Sequence, residues 1–189
     1  GQVGTANYWL VIPMVFCENR NVETIKEAVL SELGYQQVSL YNQFTRELTA
    51  AYQNGASSDE IPKIDQTKIQ SGTYKTKLFK NITGIQFLTH SRGCGETRQD
   101  SEELCGLLAG YITHPNVAGA TVLSLGCQNA QLSILQKEIK KRDANFSKPY
   151  FEFEQQKIGT AEEMIKQAIQ SVFKGLALAD QIERKPAHL

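Results

Sequence analysis

Short apolar runs alternate with amphipathic segments along most of the chain. Residues 8–16, 82–90 and 120–125 are rich in apolar side chains over the length of a strand, and a further strand is predicted at 150–153. Apolar residues recur at helical spacing between and after these runs, most clearly in the set Met164, Ile165, Ala168, Ile169, Val172, Phe173 and Leu176. The alternation predicts an α/β fold in which a Rossmann-like, doubly wound and mostly parallel sheet forms the middle of three layers.

Local signals place the ends of several elements. Pro13 predicts a bulge or bend in the first strand, because proline cannot donate a hydrogen bond within a sheet. Asn21 is expected to cap the helix that follows, and Gly34 to end it. Asp100 and Glu103 resemble a capping box before a later helix.

A polar segment interrupts the alternation. Residues 38–41 predict a short strand, and a helix is expected to follow and to end before Asn54. Residues 55–81 are then polar over a length that exceeds ordinary connections in compact domains. We interpret them as a surface insertion with a weak hairpin at 73–79.

The composition narrows the class of protein. The 189 residues suffice for one well-buried domain, which we place at 1–183, while 184–189 resemble the start of a linker to a C-terminal domain. The first residue is not Met, which indicates a piece of a longer protein. The chain has 20 basic and 20 acidic residues without a basic stripe, no apolar run near the roughly 20 residues of a membrane span, and no signal peptide. These features predict a cytoplasmic protein without nucleic-acid or membrane partners.

Three cysteines share one position in the predicted topology. Cys17, Cys94 and Cys127 each follow a strand, and right-handed crossovers bring the carboxyl ends of parallel strands to one edge of the sheet. Thiolates near helix N-termini can bind a soft metal or react, whereas the alternative is that each cysteine packs independently at a tight turn. Cys105 lies within a predicted helix and is expected to be a small core residue.

Polar groups cluster at the same predicted edge. His90 is a candidate general base or metal ligand, or else a structural histidine, while His114 fits a helix-ending turn at the opposite edge. Arg20 and Arg92 could clamp a carboxylate. The neutral hydrogen-bonding groups and the flexible glycines of this edge are Asn19, Gln128, Asn129, Gly93, Gly95 and Gly126. Together these residues predict a pocket for a small, oxygen-rich anion, with or without a metal ion.

Four motifs give the chain a resemblance to a known family. They are Gly-Thr-Ala-Asn-Tyr (4–8) leading to Cys-Glu-Asn-Arg (17–20), Thr-His-Ser-Arg-Gly-Cys-Gly (89–95), His-Pro-Asn (114–116) with Gly119, and Leu-Gly-Cys-Gln-Asn (125–129). In this order and spacing they resemble the altronate dehydratase and galactarate dehydratase family of sugar-acid dehydratases. The chain departs from that pattern in the length of 55–81 and at Gln128, where many relatives carry an acid.

The resemblance implies that this chain is the middle α/β domain of a three-part hydro-lyase. It implies dehydration of D-altronate to 2-keto-3-deoxy-D-gluconate in hexuronate catabolism, or of galactarate, or else a lyase reaction on a sulfonated hydroxy acid such as sulfolactate. It also implies a divalent metal, Fe²⁺ or Mn²⁺. An alternative of another class is a non-catalytic module that supports assembly, including that of a homo-oligomer.

The resemblance also suggests roles for individual residues. His90 and Cys94 are the catalytic candidates, and Cys17, Cys94 and Cys127 are the metal-proximal ones. The substrate-binding candidates are Asn19, Arg20, Arg92, Gly93, Gly95, Gln128 and Asn129. Because the resemblance implies further domains in the same parent chain, we expect this domain to be inactive alone.

Overall fold

The computed structural model describes residues 3–63, 72–73 and 76–182. Its strands are β1 Tyr8–Pro13, β2 Gln37–Val38, β3 Gly72–Thr73, β4 Gly84–Phe87, β5 Val117–Ser124 and β6 Tyr150–Glu154. Its α-helices are α1 Asn19–Leu33, α2 Leu40–Gln53, α3 Arg98–Thr113, α4 Leu132–Arg142, α5 Gln155–Ile158 and α6 Ala161–Asp180. Within these described ranges, no helix is both long and apolar enough to cross a membrane.

Four strands form a parallel sheet in the order β4-β1-β5-β6. The chain continues from β1 to β4 on one side of β1, and from β4 it crosses back over β1 to β5 on the other side. The pairing of β1 with β5 shifts register between Tyr8 and Trp9, at the beginning of the strand. Pro13 is the last residue of β1, where a missing donor does not interrupt the sheet. The predicted α/β, Rossmann-like fold is confirmed.

Helices cover both faces of this sheet. Leu10 and Ile12 of β1 and Val122 of β5 belong to the core cluster that packs against α3 and α4. Trp9 and Thr121, which alternate with these residues, face α6, where the Thr121 Oγ1 lies 3.2 Å from the Ser171 Oγ. Because successive side chains of a strand point to opposite faces, β1 and β5 are buried on both sides.

Trp9 explains two glycines in the core between the sheet and α6. Its indole is fully buried, and a Cβ built on Gly119 of β5 would lie 2.5 Å from the ring. A Cβ on Gly175 of α6 would come within 2.0 Å of the same ring. The indole Nε1 donates to Thr121 Oγ1 at 3.3 Å. The large aromatic ring therefore occupies space that only glycine leaves open.

The chain divides into two compact units. Residues 1–30 and 79–189 form the first unit, and residues 31–78 form the second. In this unit β2 pairs antiparallel with β3 and is not part of the parallel sheet. The strand predicted at 38–41 is wrong in its bounds, because β2 ends at Val38 and α2 begins at Leu40. The helix α2 ends at Gln53, before Asn54, as predicted, and none of its residues is buried. Residues 74–75 of the predicted hairpin, and the predicted linker 184–189, lie outside the described residues.

Two predicted helix caps are wrong. α1 begins at Asn19, after a 3-10 turn at Phe16–Glu18, so Asn21 lies inside the helix and donates to Glu18 instead of capping it. α3 begins one turn earlier than expected, with Thr97 as N-cap and Asp100 as its capping-box partner. In both places several polar residues follow one another, and only the backbone conformation shows which of them stands at the N-cap position.

Candidate functional site

The turns that follow β1, β4 and β5 meet at Gly93. Its carbonyl oxygen accepts hydrogen bonds from the backbone N–H groups of Asn129 and Ala130 at 3.1 and 3.3 Å. A Cβ on Gly93 would lie 2.3 Å from the Met14 oxygen and 2.8 Å from the Val15 Cα. The φ of Gly93 is +103°, which side chains disfavour. The predicted convergence of three distant turns at the carboxyl edge of the sheet is therefore present in the backbone.

A second set of contacts joins the turns after β1 and β4. The Asn19 Nδ2 donates to the His90 carbonyl oxygen at 2.7 Å, and the His90 N–H donates to the Asn19 Oδ1 at 3.4 Å. The Phe16 N–H donates to the Arg92 carbonyl oxygen at 2.9 Å. Beside these contacts lies an open groove of about 520 Å³, lined by Phe16, Asn19, Thr89, His90 and Ser91.

The His90 ring is also part of this network. Its Nε2 lies 2.7 Å from the Pro13 carbonyl oxygen, and its Nδ1 accepts from the Arg92 N–H at 3.1 Å. Both ring nitrogens thus contact the backbone. The catalytic assignment of His90 stays a prediction, and this geometry supplies the structural alternative with two specific contacts.

The cysteines of the three turns are solvent-exposed free thiols. Cys17, Cys94 and Cys127 all belong to this edge, whereas Cys105 of α3 is fully buried in the core cluster. Burial raises the pKa of the Cys105 thiol to about 12, which fits its predicted role as an inert core residue.

The implied metal ion does not fit the side chains of this edge. Within the described part of the chain, no three His, Cys, Asp or Glu side chains are grouped so that they could hold a metal ion. The turns of the three cysteines are tied together through Gly93, but their sulfurs do not form a ligand set. The assignment of a metal to Cys17, Cys94 and Cys127 therefore stays a prediction without geometric support.

Two arginines of this edge are candidates for anion binding. Arg20 is exposed in the first turn of α1. The Arg92 side chain is 54% exposed, and its Nε lies 3.9 Å from the Glu96 Oε1. Gly95, between Cys94 and Glu96, has a φ of +73°. The exposed guanidinium makes this long contact with Glu96 and also interacts with the charge of Asp100. It is accessible to an anionic ligand.

The amides of the turn after β5 have structural contacts. Gln128 is 1% exposed, its Oε1 accepts from the Gly126 N–H at 2.7 Å, and its Nε2 donates to the Ser124 Oγ and the Ala130 carbonyl oxygen. A carboxylate could not make the latter donation, so the amide suits this position. The Asn129 Nδ2 donates to the Glu96 carbonyl oxygen at 2.8 Å. The predicted substrate-binding role of these two amides is untested, and their contacts hold the turns together.

Two acidic residues of this edge were not predicted. Glu18 is 1% exposed, and burial raises the pKa of its carboxyl, while the Asn21 Nδ2 donates to its Oε2 at 2.7 Å. The Glu96 Oε2 is buried, and within the described residues no donor reaches it. Glu18 stands inside a polar motif and Glu96 follows Gly95 in another polar turn, so nothing in the sequence signals their burial. Glu18 is thus a buried carboxyl with one side-chain donor, and Glu96 has one buried oxygen that no described residue reaches.

The remaining motifs lie at the opposite edge of the sheet. The Asn116 Oδ1 accepts from the backbone N–H groups of Thr5 and Ala6 at 2.7 and 3.2 Å. The Asn116 carbonyl oxygen accepts from the Tyr8 N–H at 2.8 Å. His114 caps the C-terminus of α3, and its Nδ1 accepts from the Asn116 N–H at 3.1 Å. These contacts agree with the predicted structural role of His114 and give the segments 4–8 and 114–116 a role in the fold.

Comparison with known proteins agrees with the motifs. A family model described as "D-galactarate dehydratase/Altronate hydrolase, second domain" matches residues 1–180. The altronate dehydratase of Bacillus subtilis (strain 168) is 34% identical over 88 residues, a stretch that covers 47% of this chain and 17% of that protein. No solved structure matches the chain significantly. Because the family model covers nearly the whole chain, the protein belongs to the D-galactarate dehydratase/altronate hydrolase family, in which it corresponds to the second domain.

Proposed function

We propose that this chain is one wall of the active site of a sugar-acid hydro-lyase, whose parent enzyme converts D-altronate to 2-keto-3-deoxy-D-gluconate and water. The observation that carries the proposal is the convergence of three turns on Gly93, which places Arg92 and Cys94 together at the carboxyl edge of the sheet. Ligands of open α/β sheets bind beyond this edge. The family match supplies the reaction class.

The reaction defines what the site has to do. A base removes the proton from the carbon next to the carboxylate, the electron pair forms a carbon–carbon double bond, and the neighbouring hydroxyl leaves with a proton as water. The resulting enol then becomes the keto acid. The carboxylate has to be held while negative charge develops beside it, which favours fixed positive groups at this place.

In the proposal, Arg92 binds the substrate carboxylate. Its guanidinium is the more exposed partner of the contact with Glu96, so an incoming carboxylate replaces a long ion pair with a short bidentate one. The exposed Cys94 thiol lies two residues further along the same turn and is this domain's candidate for contact with the reacting carbons. The side chains of this edge do not form a metal site, so no step of the proposal depends on a metal ion bound here.

The test uses the full-length parent enzyme with D-altronate, galactarate and sulfolactate as separate substrates. Arg92→Gln is expected to raise KM about 10- to 100-fold, the value of a charge-assisted hydrogen bond to a carboxylate. Arg98→Gln is the matched control, since Arg98 is the first residue of α3, is 90% exposed, and pairs with Glu102. An unchanged KM in Arg92→Gln would contradict the role of Arg92.

The same assay tests the activity and its substrate. Turnover of D-altronate by the parent enzyme supports the proposal, and turnover of galactarate or sulfolactate alone would move it to that substrate. The isolated 189-residue chain is expected to show no turnover, since we propose that further catalytic groups belong to the rest of the parent chain. Full activity of the isolated chain would show that the site is complete within this domain.

A further inference from the structure

The protonation state of His90 follows from its two neighbours. The Arg92 backbone N–H can only donate, so the Nδ1, 3.1 Å away, has to accept. The Pro13 carbonyl oxygen can only accept, so the Nε2, 2.7 Å away, has to donate. Both contacts are satisfied together only by the neutral imidazole with its proton on Nε2.

This arrangement leaves the ring without a free lone pair. A general base needs an unprotonated nitrogen within reach of the substrate proton. In His90 the lone pair of Nδ1 points to the Arg92 N–H, and the proton of Nε2 points to the Pro13 oxygen. The ring would have to break a backbone contact before it could accept a proton.

The same contacts fix the turn that carries Arg92. The ring joins the end of β1, through Pro13, to the backbone of Arg92. The Asn19 side chain donates to the His90 carbonyl oxygen and accepts from the His90 N–H. The Phe16 N–H donates to the Arg92 carbonyl oxygen. The His90 ring is therefore part of a hydrogen-bond network that fixes the backbone of Arg92, and with it the point from which the Arg92 side chain extends.

We propose that His90 is a positioning residue, a neutral bridge between β1 and the turn of Arg92 and Cys94, and not the group that transfers the proton. The inference rests on the proposed function, because it assigns the purpose of the bridge to binding of the substrate carboxylate by Arg92. Its contact geometry is independent of which sugar acid is bound.

The kinetic test compares three variants of the parent enzyme. His90→Ala removes both contacts, His90→Asn keeps an acceptor at the position of Nδ1, and His90→Gln keeps a donor near the position of Nε2. For a positioning role, we expect His90→Ala to raise the KM for D-altronate about 10-fold or more, with kcat changed less. His90→Asn or His90→Gln should recover part of that loss. In all three variants, the dependence of the rate on pH should rise and fall at the same pH values as in the wild type.

A matched control is present at the opposite edge of the sheet. The His114 Nδ1 also accepts from a backbone N–H two residues later, at 3.1 Å, and lies far from the site in the fold. His114→Ala is expected to leave kcat/KM within about twofold of the wild type. If kcat falls by about 1,000-fold or more in all three His90 variants, with KM unchanged and one limb of the pH profile lost, His90 is the base and the proposal is wrong.

A spectroscopic measurement separates this inference from the proposed function. In the wild-type parent enzyme labelled with ¹⁵N-histidine, the His90 ring should show a protonated Nε2 and an unprotonated Nδ1 at neutral pH. This result supports the bridge even if D-altronate proves not to be the substrate or a variant fails to fold. A proton on Nδ1, or exchange between the two tautomers, would overturn it.

Discussion

At the scale of single residues, Gly93 has the most demanding position at the site edge. It combines a φ of +103° with close approach to the Met14 oxygen and the Val15 Cα. Gly95, two residues later, has a φ of +73°, but among the described residues beyond its chain neighbours no atom lies within 4 Å of a Cβ built there. Alanine substitutions at the two glycines therefore compare the cost of backbone strain together with a steric clash, at Gly93, with the cost of backbone strain alone, at Gly95.

Gly93→Ala is expected to lower the free energy of unfolding by about 3 kcal/mol or more, because strain and overpacking add. Gly95→Ala should cost only about 1 kcal/mol, the strain alone. Chemical denaturation of both variants measures the difference. Equal costs would show that the turns after β1 and β4 can move apart without loss.

Glu18 gives the site edge a pH-dependent contribution to stability. Burial raises the pKa of its carboxyl above the ordinary value of 4.5. The neutral form is therefore favoured by folding, and its contribution is complete below the unfolded pKa and is lost as the pH rises through the folded pKa.

Glu18→Gln removes this titration. Relative to the variant, the wild type should gain stability on the order of 1 kcal/mol as the pH is lowered from 8 to about 4. Thermal or urea unfolding across that range measures the difference, with Glu103→Gln, an exposed carboxylate of α3, as control. A difference that is constant with pH would mean that Glu18 titrates alike in the folded and unfolded chain.

At the scale of elements, two helical glycines have opposite surroundings. Gly175 of α6 faces the Trp9 ring, with 2.0 Å between the site of a Cβ and the indole. Gly106 of α3 has the Glu138 Oε2 at 3.7 Å as its nearest neighbour, which is ordinary contact. Helix propensity favours alanine equally at both places, so packing decides the sign.

Gly106→Ala should therefore stabilise the protein by about 0.5–1 kcal/mol. Gly175→Ala should destabilise it by about 2 kcal/mol, because displacement of the fully buried indole outweighs the gain in propensity. Trp9 is the one tryptophan of the chain, so its fluorescence reports directly on the second substitution. Stabilisation by Gly175→Ala would show that the indole can shift without cost.

At the scale of the whole molecule, residues 31–78 form a unit whose chain ends lie close together. The Leu78 N–H donates to the Leu33 carbonyl oxygen at 3.1 Å. A short connection can therefore replace most of this unit without stretching the chain, and a shorter loop lowers the entropic cost of closure.

We consider replacement of residues 35–76 by a linker of two or three residues, each glycine or serine. It is expected to change the free energy of unfolding of the unit that contains the parallel sheet, residues 1–30 and 79–189, by less than about 1 kcal/mol. The core of that unit is built from its own residues, including Trp9, Met164 and Val172. Tryptophan fluorescence and near-UV circular dichroism measure the outcome. Exposure of Trp9 in the shortened chain would mean that residues 35–76 are needed for the fold.

The sequence by itself determined the class of fold and the edge of the sheet at which the three cysteine turns meet. Hydrophobic periodicity is a local property, so the runs at 8–16, 82–90, 120–125 and 150–153 were sufficient to predict the strands of the parallel sheet. Topology then required the turns of Cys17, Cys94 and Cys127 to share one edge. The motifs were sufficient to predict the family.

Only the tertiary structure decided what each side chain at that edge contacts. The bonds of His90 to Pro13 and of Asn19 to His90 join residues more than 70 positions apart, and no local pattern encodes such pairs. The burial of Glu18, and that of the Glu96 Oε2, which no donor of the described residues reaches, likewise depend on how neighbouring turns pack. A residue's type and spacing predict its edge, because strand direction follows from topology, but its hydrogen-bond partners depend on distances that only the folded chain sets.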